Sequence, residues 1–390
     1  MNRTLARSGC CCSGLMVLMM LACGRDTVSV DFEATLREPQ EVIATVDEEF
    51  TTSERRVVAE VTIPSAPQDT VWLLVVQGQL GADSERFSSA RLTLVIDGVE
   101  RSFTETDTAA SESPGPVFLL ELLEDGSQPR QVEVRLGSPD RGLARVRRLQ
   151  VIAFPLPSTA IAGYSAQDDL LRVSRDEPSV VQSLSLNEAE DVIVLGTAVA
   201  NELPGRASVF LRLSPPADLF ELRTSFPIYS SVLFVRRIPG DEGNTVVELT
   251  ARAGPESVEG GTVRGARILA LRASAFSSVQ FEDIRGVVTT ESSQVMGTLT
   301  LPATVASRWL TVQTLNGRSP CTMEQVQDLL KRVTFVAGDA IDNYEHDSNT
   351  CLTDQSYAFF SSLPGEREIE LRNEAVKGEF RRSVLLGLGR

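Results

Sequence analysis

One short apolar segment recurs three times along this chain of 390 residues, and its spacing limits the fold more than any other feature. The copies begin at Val146, Val263 and Phe380, so both intervals are 117 residues. Three upstream segments recur at similar intervals. The copies of the first begin at Val71, Val192 and Arg308, those of the second at Val117, Val232 and Tyr357, and those of the third at Val132, Val247 and Ile369. Solenoid repeats are ~20 to 50 residues long, so a period of 117 residues predicts three tandem domains.

Each repeat has the pattern of an all-β unit. Its segments are short, rich in Val, Ile, Leu, Thr and Phe, and separated by turn residues such as Asp97-Gly98. Where Glu60 alternates with Val61 and Ile63, one face of the strand is apolar and the other is polar. Two sheets must then stack to hide their apolar faces. This predicts an all-β fold of three tandem antiparallel β-sandwich, jelly-roll-like domains with one solvent-exposed face per sheet.

The repeat also sets the expected boundaries. We expect a signal segment at residues 1–23, a tether at 24–40, and β-sandwiches at 41–157, 158–275 and 276–390. The joints between the sandwiches are short, which predicts a rod-like stack. The tether is polar and acidic, although Val28, Val30 and Phe32 within it are compatible with an added edge strand.

The third repeat differs from the other two by an insertion that runs from residue 322 to residue 333. A threonine at the start of this insertion, followed three residues later by a glutamine, fits a capping box. The apolar residues that recur there at helical spacing are Met323, Val326, Leu329, Leu330 and Val333. The insertion therefore predicts one short amphipathic helix.

Cys321 and Cys351 are the only cysteines that follow the signal segment. An isolated pair in an exported protein predicts a disulfide, here within the third domain. The chain-entropy model gives ~3.5 kcal/mol of stabilisation for a loop of this length. Neither a CxxC spacing nor a nearby pair of histidines accompanies the two cysteines, which argues against a zinc site.

The charge balance excludes one class of partner. The chain has 53 acidic and 37 basic residues and a net charge of −16 at pH 7. A protein of this charge is repelled by phosphate backbones, so we expect no binding to nucleic acid.

The first residues have the layout of a bacterial secretion signal. Arg3 and Arg7 precede an apolar run, Leu15 to Ala22, that is shorter than the ~20 residues needed to cross a bilayer. The run ends at Cys23 and resembles the lipobox of bacterial lipoproteins, with departures two and three places before the cysteine. The resemblance implies a lipid on Cys23 that anchors the protein to a membrane. Gly24, in place of an aspartate, implies the outer membrane of the cell envelope, with the protein facing the periplasm or the medium.

The order of the segments resembles that of galactose-binding-like domains and carbohydrate-binding modules, which are jelly-roll sandwiches. The likeness is carried by the early strand from Val71, the turn Asp97-Gly98, the strand from Val132 and the last strand from Leu149 to Phe154. It spans residues 41–390 and implies domains that bind glycans.

The residues give no sign of catalysis. The single histidine, His346, is accompanied by no nucleophile elbow, metalloprotease helix or phosphate-binding glycine loop, so we expect no catalytic residues. Trp72 and Trp309 occupy matching repeat positions. Matching positions favour packing in a core over stacking against a sugar.

A polar loop, residues 339–349, is expected close to the insertion, and the first two repeats have no comparable cluster of carboxylates. Its candidate site residues are Asp339, Asp342, Asn343, Glu345 and Asp347. Oxygen atoms of this kind suit calcium, which takes about six to eight of them, although the spacing fits no EF-hand. We therefore expect an ion site or a contact for a partner protein here, and a solvated loop is the alternative.

Two functions follow from these observations. The leading hypothesis is a non-enzymatic envelope lipoprotein whose tandem sandwiches bind a protein or a surface, in adhesion, envelope assembly, or a motility or secretion complex. The alternative is an envelope lipoprotein that binds or processes glycans. The shortage of aromatic residues, 6% of the chain, favours the first, because sugars stack on exposed aromatic rings.

Overall fold

A computed structural model describes the greater part of the chain. The described residues are 29–30, 41–46, 49–67, 69–82, 88–108, 115–124, 127–140, 142–187, 189–202, 208–214, 222–225, 230–240, 245–254, 260–290, 292–303, 305–318, 330–347 and 354–390. They are built almost wholly from strands, which confirms the predicted all-β sandwich class. No helix among them is long and apolar enough to cross a membrane.

The first unit consists of an outer and an inner sheet. Its strands are β1 Ser29–Val30, β2 Val42–Val46, β3 Phe50–Thr52, β4 Arg56–Ile63, β5 Thr70–Ala82, β6 Ser88–Ile96, β7 Val99–Thr108, β8 Gly115–Leu123, β9 Arg130–Gly137 and β10 Ala144–Pro157. The outer sheet has the order β1-β4-β9-β6-β7, and the inner sheet has the order β2-β10-β5-β8, with β3 also on β10. Strand β1 lies parallel to β4, so the tether does add an edge strand, at Val30.

The second unit repeats this arrangement. Its strands are β11 Ile161–Gln167, β12 Leu171–Val173, β13 Ser179–Leu186, β14 Val192–Glu202, β15 Ser208–Ser214, β16 Leu222–Ser225, β17 Ser230–Ile238, β18 Thr245–Ala253 and β19 Gly261–Arg272. The outer sheet has the order β13-β18-β15-β16, and the inner sheet has the order β11-β19-β14-β17, with β12 also on β19.

The third unit also consists of an outer and an inner sheet. Its strands are β20 Ser278–Thr290, β21 Gln294–Leu301, β22 Arg308–Arg318, β23 Leu330–Ala337, β24 Ala340–Asp347, β25 Asp354–Pro364, β26 Ile369–Val376 and β27 Gly378–Gly389. The outer sheet has the order β21-β26-β23-β24, and the inner sheet has the order β20-β27-β22-β25. The predicted helix is wrong at its end, because Leu330 and Val333 lie in β23. Both pair with β24, and Val333 also pairs with β26, and this strand pairing outweighs the helical spacing. Residues 322–329 lie outside the described part of the chain.

The inner sheets are buried on both faces apart from their outer edge strands β2, β11 and β20, which corrects the expectation of one exposed face per sheet. All of β5 is buried. Its alternate residues Trp72 and Leu74 pack inside the first sandwich, whereas Leu73 and Val75 point the other way, into a second core. The two tryptophans, Trp72 and Trp309, are fully buried, which confirms their role in packing.

The second core, here called the central core, is shared by all three units. It contains Leu73, Val75, Phe118, Leu120, Ile152 and Phe154 from the first, Ile193, Leu195, Leu233, Val235, Leu269 and Leu271 from the second, and Leu310, Val312, Phe360, Val384, Leu386 and Leu388 from the third. The terminal strands of the three inner sheets, β8, β17 and β25, contact one another there. The expected rod is therefore wrong, because the units pack side by side around apolar faces that a rod would leave in water.

The outer sheets close the assembly into a ring. Strand β7 of the first unit contacts β17 and β19 of the second. Strand β16 of the second contacts β25 of the third, and β24 of the third contacts β8 of the first. Each unit thus covers the edge of the next inner sheet with the last strand of its own outer sheet, which leaves less unpaired strand backbone in contact with solvent.

Truncation of Phe360 to alanine tests the central core. Phe360 is 1% exposed, so we expect Phe360→Ala to lower the free energy of unfolding by about 3 to 5 kcal/mol. Because the core joins the units, the chain should still unfold in one transition, measured by fluorescence in urea. Ile341→Ala, at a site that is 62% exposed in the same unit, is the control and should change little. A variant that unfolded in two steps, with only one step shifted, would contradict the shared core.

Candidate functional site

The cysteines singled out in the sequence lie outside the described residues. This holds for Cys23, the expected lipid site, and for Cys321 and Cys351, the expected disulfide. Both assignments stay predictions.

The acidic segment is a strand and not the expected loop. Gly338, with φ +59°, and Asp339 form a tight turn, after which residues 340–347 pair along β23 as strand β24. The backbone of Glu345 and Asp347 belongs to this strand, and their side chains are outside the described part. The two-residue turn joins β23 and β24 into a β-hairpin, and the polar sequence forms its second strand.

Strand β24 also contacts the first unit of the same chain. Arg148 lies 3.4 Å from Asp342, measured from Nη1 to Oδ1, and also donates a hydrogen bond to the carbonyl oxygen of Asn343. That oxygen accepts a second bond from Nε2 of Gln79 at 2.8 Å. The Asn343 side chain accepts from the hydroxyl of Thr334 at 2.7 Å. Asp342 and Asn343 therefore hold the third unit against the first.

The backbone at Arg148 adopts a conformation that favours glycine. Its φ is +52°, and the residue 117 positions later, Gly265, has φ +58°. A left-handed conformation costs an ordinary residue about 1 kcal/mol or more. The first unit therefore carries this cost at the position whose arginine contacts Asp342 and Asn343.

Calcium binding at the acidic strand stays a prediction. Asp339 forms an exposed ion pair with Arg367, and Asp342 is paired with Arg148. No group of three or more metal-ligating residues comes together among the side chains that the structure describes.

The contact between the first and second units is also charged. Glu105, only 3% exposed, forms ion pairs with Arg91 of its own unit and Arg264 of the second. The ring of Phe103 lies between these two arginines, with its centroid 4.4 Å and 4.5 Å from their guanidinium carbons. Together these residues fix the edge strand β7 to the second unit.

A second charged contact lies in the same interface. Nε of Arg267 is 3.1 Å from a carboxylate oxygen of Glu121. Burial raises the pKa of Glu121, and the arginine opposes this shift by favouring the ionised carboxylate. Burial likewise raises the pKa of Tyr164 beside the pair. These groups bond to one another at the interface between the two units.

A groove lies on the exposed face of the second unit's outer sheet. Its volume is about 210 Å³, and its lining includes Phe210, Arg212, Ser214, Glu248, Thr250 and Arg252. The first three alternate along β15 and the last three along β18, and the residues between them are buried in the sandwich core. Cross-strand pairing places Phe210 opposite Arg252, Arg212 opposite Thr250, and Ser214 opposite Glu248.

The electrostatics of this groove differ from those of the sheet around it. The guanidinium of Arg252 lies over the Phe210 ring at 4.9 Å. Nε of Arg212 is buried and has no hydrogen-bond partner among the described residues. A buried donor without an acceptor costs free energy, and a bound oxygen anion would remove that cost.

The matching faces of the other two units lack this arrangement. Glu133 and Glu370 match Glu248 in the repeat. Two positions further on, Arg135 and Arg372 replace Thr250, and each forms an ion pair within its own strand, with Glu133 at 2.6 Å and with Glu374 at 3.1 Å respectively. Reading the sequence alone missed the groove, because only the pairing of β15 with β18 brings Phe210 beside Arg252.

Substitutions at Arg148 test the contact that closes the ring. Arg148→Ala removes the bonds to Asp342 and Asn343 and keeps the strained backbone, whereas Arg148→Gly removes both. We therefore expect the glycine variant to be more stable than the alanine variant by about 1 kcal/mol, measured by urea unfolding.

The control for this test is Arg135, a strand position without positive φ. There glycine should be less stable than alanine by about 0.5 to 1 kcal/mol. The same order of stability at positions 148 and 135 would show that the backbone at Arg148 is unstrained.

Comparisons with known proteins give neither a family nor a close relative. No protein-family model and no curated protein match the chain. Among solved structures, PNGF-II covers 78% of this chain and 98% of its own length, at 6% identity and a TM-score of 0.29. The N-terminal CBM22-1-CBM22-2 tandem domain of Paenibacillus barcinonensis Xyn10C covers 61% of this chain and 99% of its own, at 10% identity and a TM-score of 0.20.

A third structure contains the M60 catalytic domain with the CBM51-1 and CBM51-2 domains of Clostridium perfringens ZmpB. It covers 83% of this chain and 33% of its own, at 9% identity and a TM-score of 0.17. At TM-scores of this size, the function has to be sought in the residues of this chain itself.

Proposed function

We propose that this protein is a non-enzymatic binding protein of the cell envelope. A lipid on Cys23 holds it to a membrane, which we propose is the outer membrane. Its three sandwiches form one body that presents the outer sheets to a partner. The basic start, the short apolar run and the Ala22-Cys23 junction support the anchor.

The observation that carries the binding role is the division of the sheets. The middle strands of the inner sheets pack into the central core and the three sandwich cores, and some of their polar groups bond across the units. Gln77, for example, is 2% exposed, and its side-chain amide both donates to and accepts from the backbone of Phe360, at 2.9 Å and 2.8 Å. The outward faces of the outer sheets are what such a body offers to other molecules.

The pairing of β1 supports an anchor close to the body. Ser29 and Val30 lie beside Glu60 and Val61 at the edge of the first outer sheet. Five residues separate Cys23 from Ser29. A chain of that length spans at most ~22 Å, so a lipid on Cys23 would keep the first unit near the membrane surface.

The anchor is tested with Cys23→Ser expressed in a bacterium that processes lipoproteins. We expect the wild-type protein to incorporate labelled fatty acid and to fractionate with outer membranes, and the variant to do neither, because the acyl chains supply the membrane affinity. Cys321→Ser is the matched control and should keep the label.

Two results would contradict the proposal. One is a Cys23→Ser variant that still takes up the label and stays with membranes. The other is a wild-type protein that crosslinks in the envelope to no protein or glycan.

Glycan binding is the second candidate for what this body binds. The specific observation that favours it is the groove on the second outer sheet, where a partly exposed aromatic ring, Phe210, lies among side chains that can bond to hydroxyl groups.

A further inference from the structure

We propose that the groove of the second unit binds an acidic saccharide, a sugar chain that carries carboxylate groups. The proposal rests on the binding role above and names the ligand class and the residues for it. Arg212 would hold the carboxylate together with Arg252, which lies over the Phe210 ring, and the part of that ring left uncovered would contact the sugar.

The charge of the groove argues for an anion. The chain carries a net charge of −16, so most of its surface repels anionic ligands. Among the described residues that line the groove, by contrast, there are two arginines on adjacent strands and one carboxylate, Glu248, which lies at the end opposite Arg252. The buried Nε of Arg212 lacks an acceptor among the described residues, and the planar guanidinium forms paired hydrogen bonds with carboxylates.

The remaining side chains argue for a sugar as the carrier of that charge. Ser214 and Thr250 can donate or accept hydrogen bonds, and Glu248 accepts them from hydroxyl groups. An acidic peptide has many carboxylates, which the charge of Glu248 repels. It also has few hydroxyl groups that could donate hydrogen bonds to Glu248. A ring with hydroxyl groups and one carboxylate uses every polar group in the groove.

The size and position of the groove fit a chain and not an enclosed small molecule. Its volume of about 210 Å³ is below the roughly 300 to 1000 Å³ of usual small-molecule pockets. A groove of this size on an open sheet face holds one sugar residue, while the neighbouring residues of the chain lie along the sheet.

The first and third units provide built-in controls. Arg135 and Arg372 lie on the equivalent outer faces, and each forms an ion pair with a glutamate of its own strand. The buried Nε of Arg372, like that of Arg212, makes no hydrogen bond among the described residues, so the ion pair with Glu374 is what sets the third unit apart from the second. A ligand carboxylate would have to displace that glutamate, so these faces should bind acidic sugars weakly. The proposal therefore predicts one site on the chain, in the second unit.

The experiment measures binding of the full chain, purified in detergent, by titration calorimetry. The probes are polygalacturonate, its neutral methyl ester and polyglutamate. We expect polygalacturonate to bind with an affinity that falls as salt increases, and the ester to bind at least about tenfold more weakly. Polyglutamate should bind no better than the ester.

Variants assign the site. Arg212→Ala and Phe210→Ala should each weaken polygalacturonate binding about tenfold or more. Arg212→Lys, which keeps the charge and the fold but loses the paired geometry, should have an intermediate effect. Arg135→Ala and Arg372→Ala should leave the affinity unchanged. Melting curves of every variant separate loss of binding from loss of folding.

Three results would overturn the proposal. Equal binding of the neutral ester would exclude carboxylate recognition. Binding of polyglutamate as tight as that of polygalacturonate would make the ligand an acidic peptide. Equal weakening by Arg135→Ala and Arg212→Ala would move the site out of the groove. None of these results touches the membrane anchor or the capture of an envelope partner, which are measured separately with Cys23→Ser.

Discussion

The burial of both faces of the middle strands of each inner sheet is the constraint on which the rest of this structure depends. Strand β5 shows it at single-residue scale, because Trp72 packs inside its sandwich while Leu73 packs into the central core. A side chain such as Leu73 contributes about 1.5 to 3 kcal/mol when fully buried, and it can do so only if the other units are present. The units are therefore parts of one cooperative body.

Polar contacts at the rim of the central core fix how the units meet. Apolar packing alone tolerates small rotations of one sheet over another, whereas hydrogen bonds and ion pairs require one register. Gln77 bonds to the backbone of Phe360, Arg267 pairs with Glu121, and Arg148 pairs with Asp342. The acidic character of β24, which in the sequence resembles a ligand site, serves in part to close the ring on the first unit.

This architecture leaves the outward faces of the outer sheets as the surfaces on which the units can differ in function. In the first and third units, Arg135 and Arg372 are paired with glutamates of their own strands. In the second unit the position equivalent to Arg135 and Arg372 is Thr250, and an arginine, Arg212, lies opposite it on the adjacent strand. The repeat thus keeps the core in common while one unit acquires a groove with a distinct charge.

The sequence by itself determined the class of fold and the repeat, because alternation, turn residues and a fixed interval are local signals: the tight turn at Asp97-Gly98 is one of them. Continuous apolar runs such as the one from Val71 also carried the information that both faces are buried. Which surfaces those faces meet was decided only by the tertiary structure. The contact of Arg148 with Asp342 spans 194 residues, and the groove needs Phe210 beside Arg252, 42 residues later in the chain. No local pattern encodes such pairs, since they follow from how whole sheets pack.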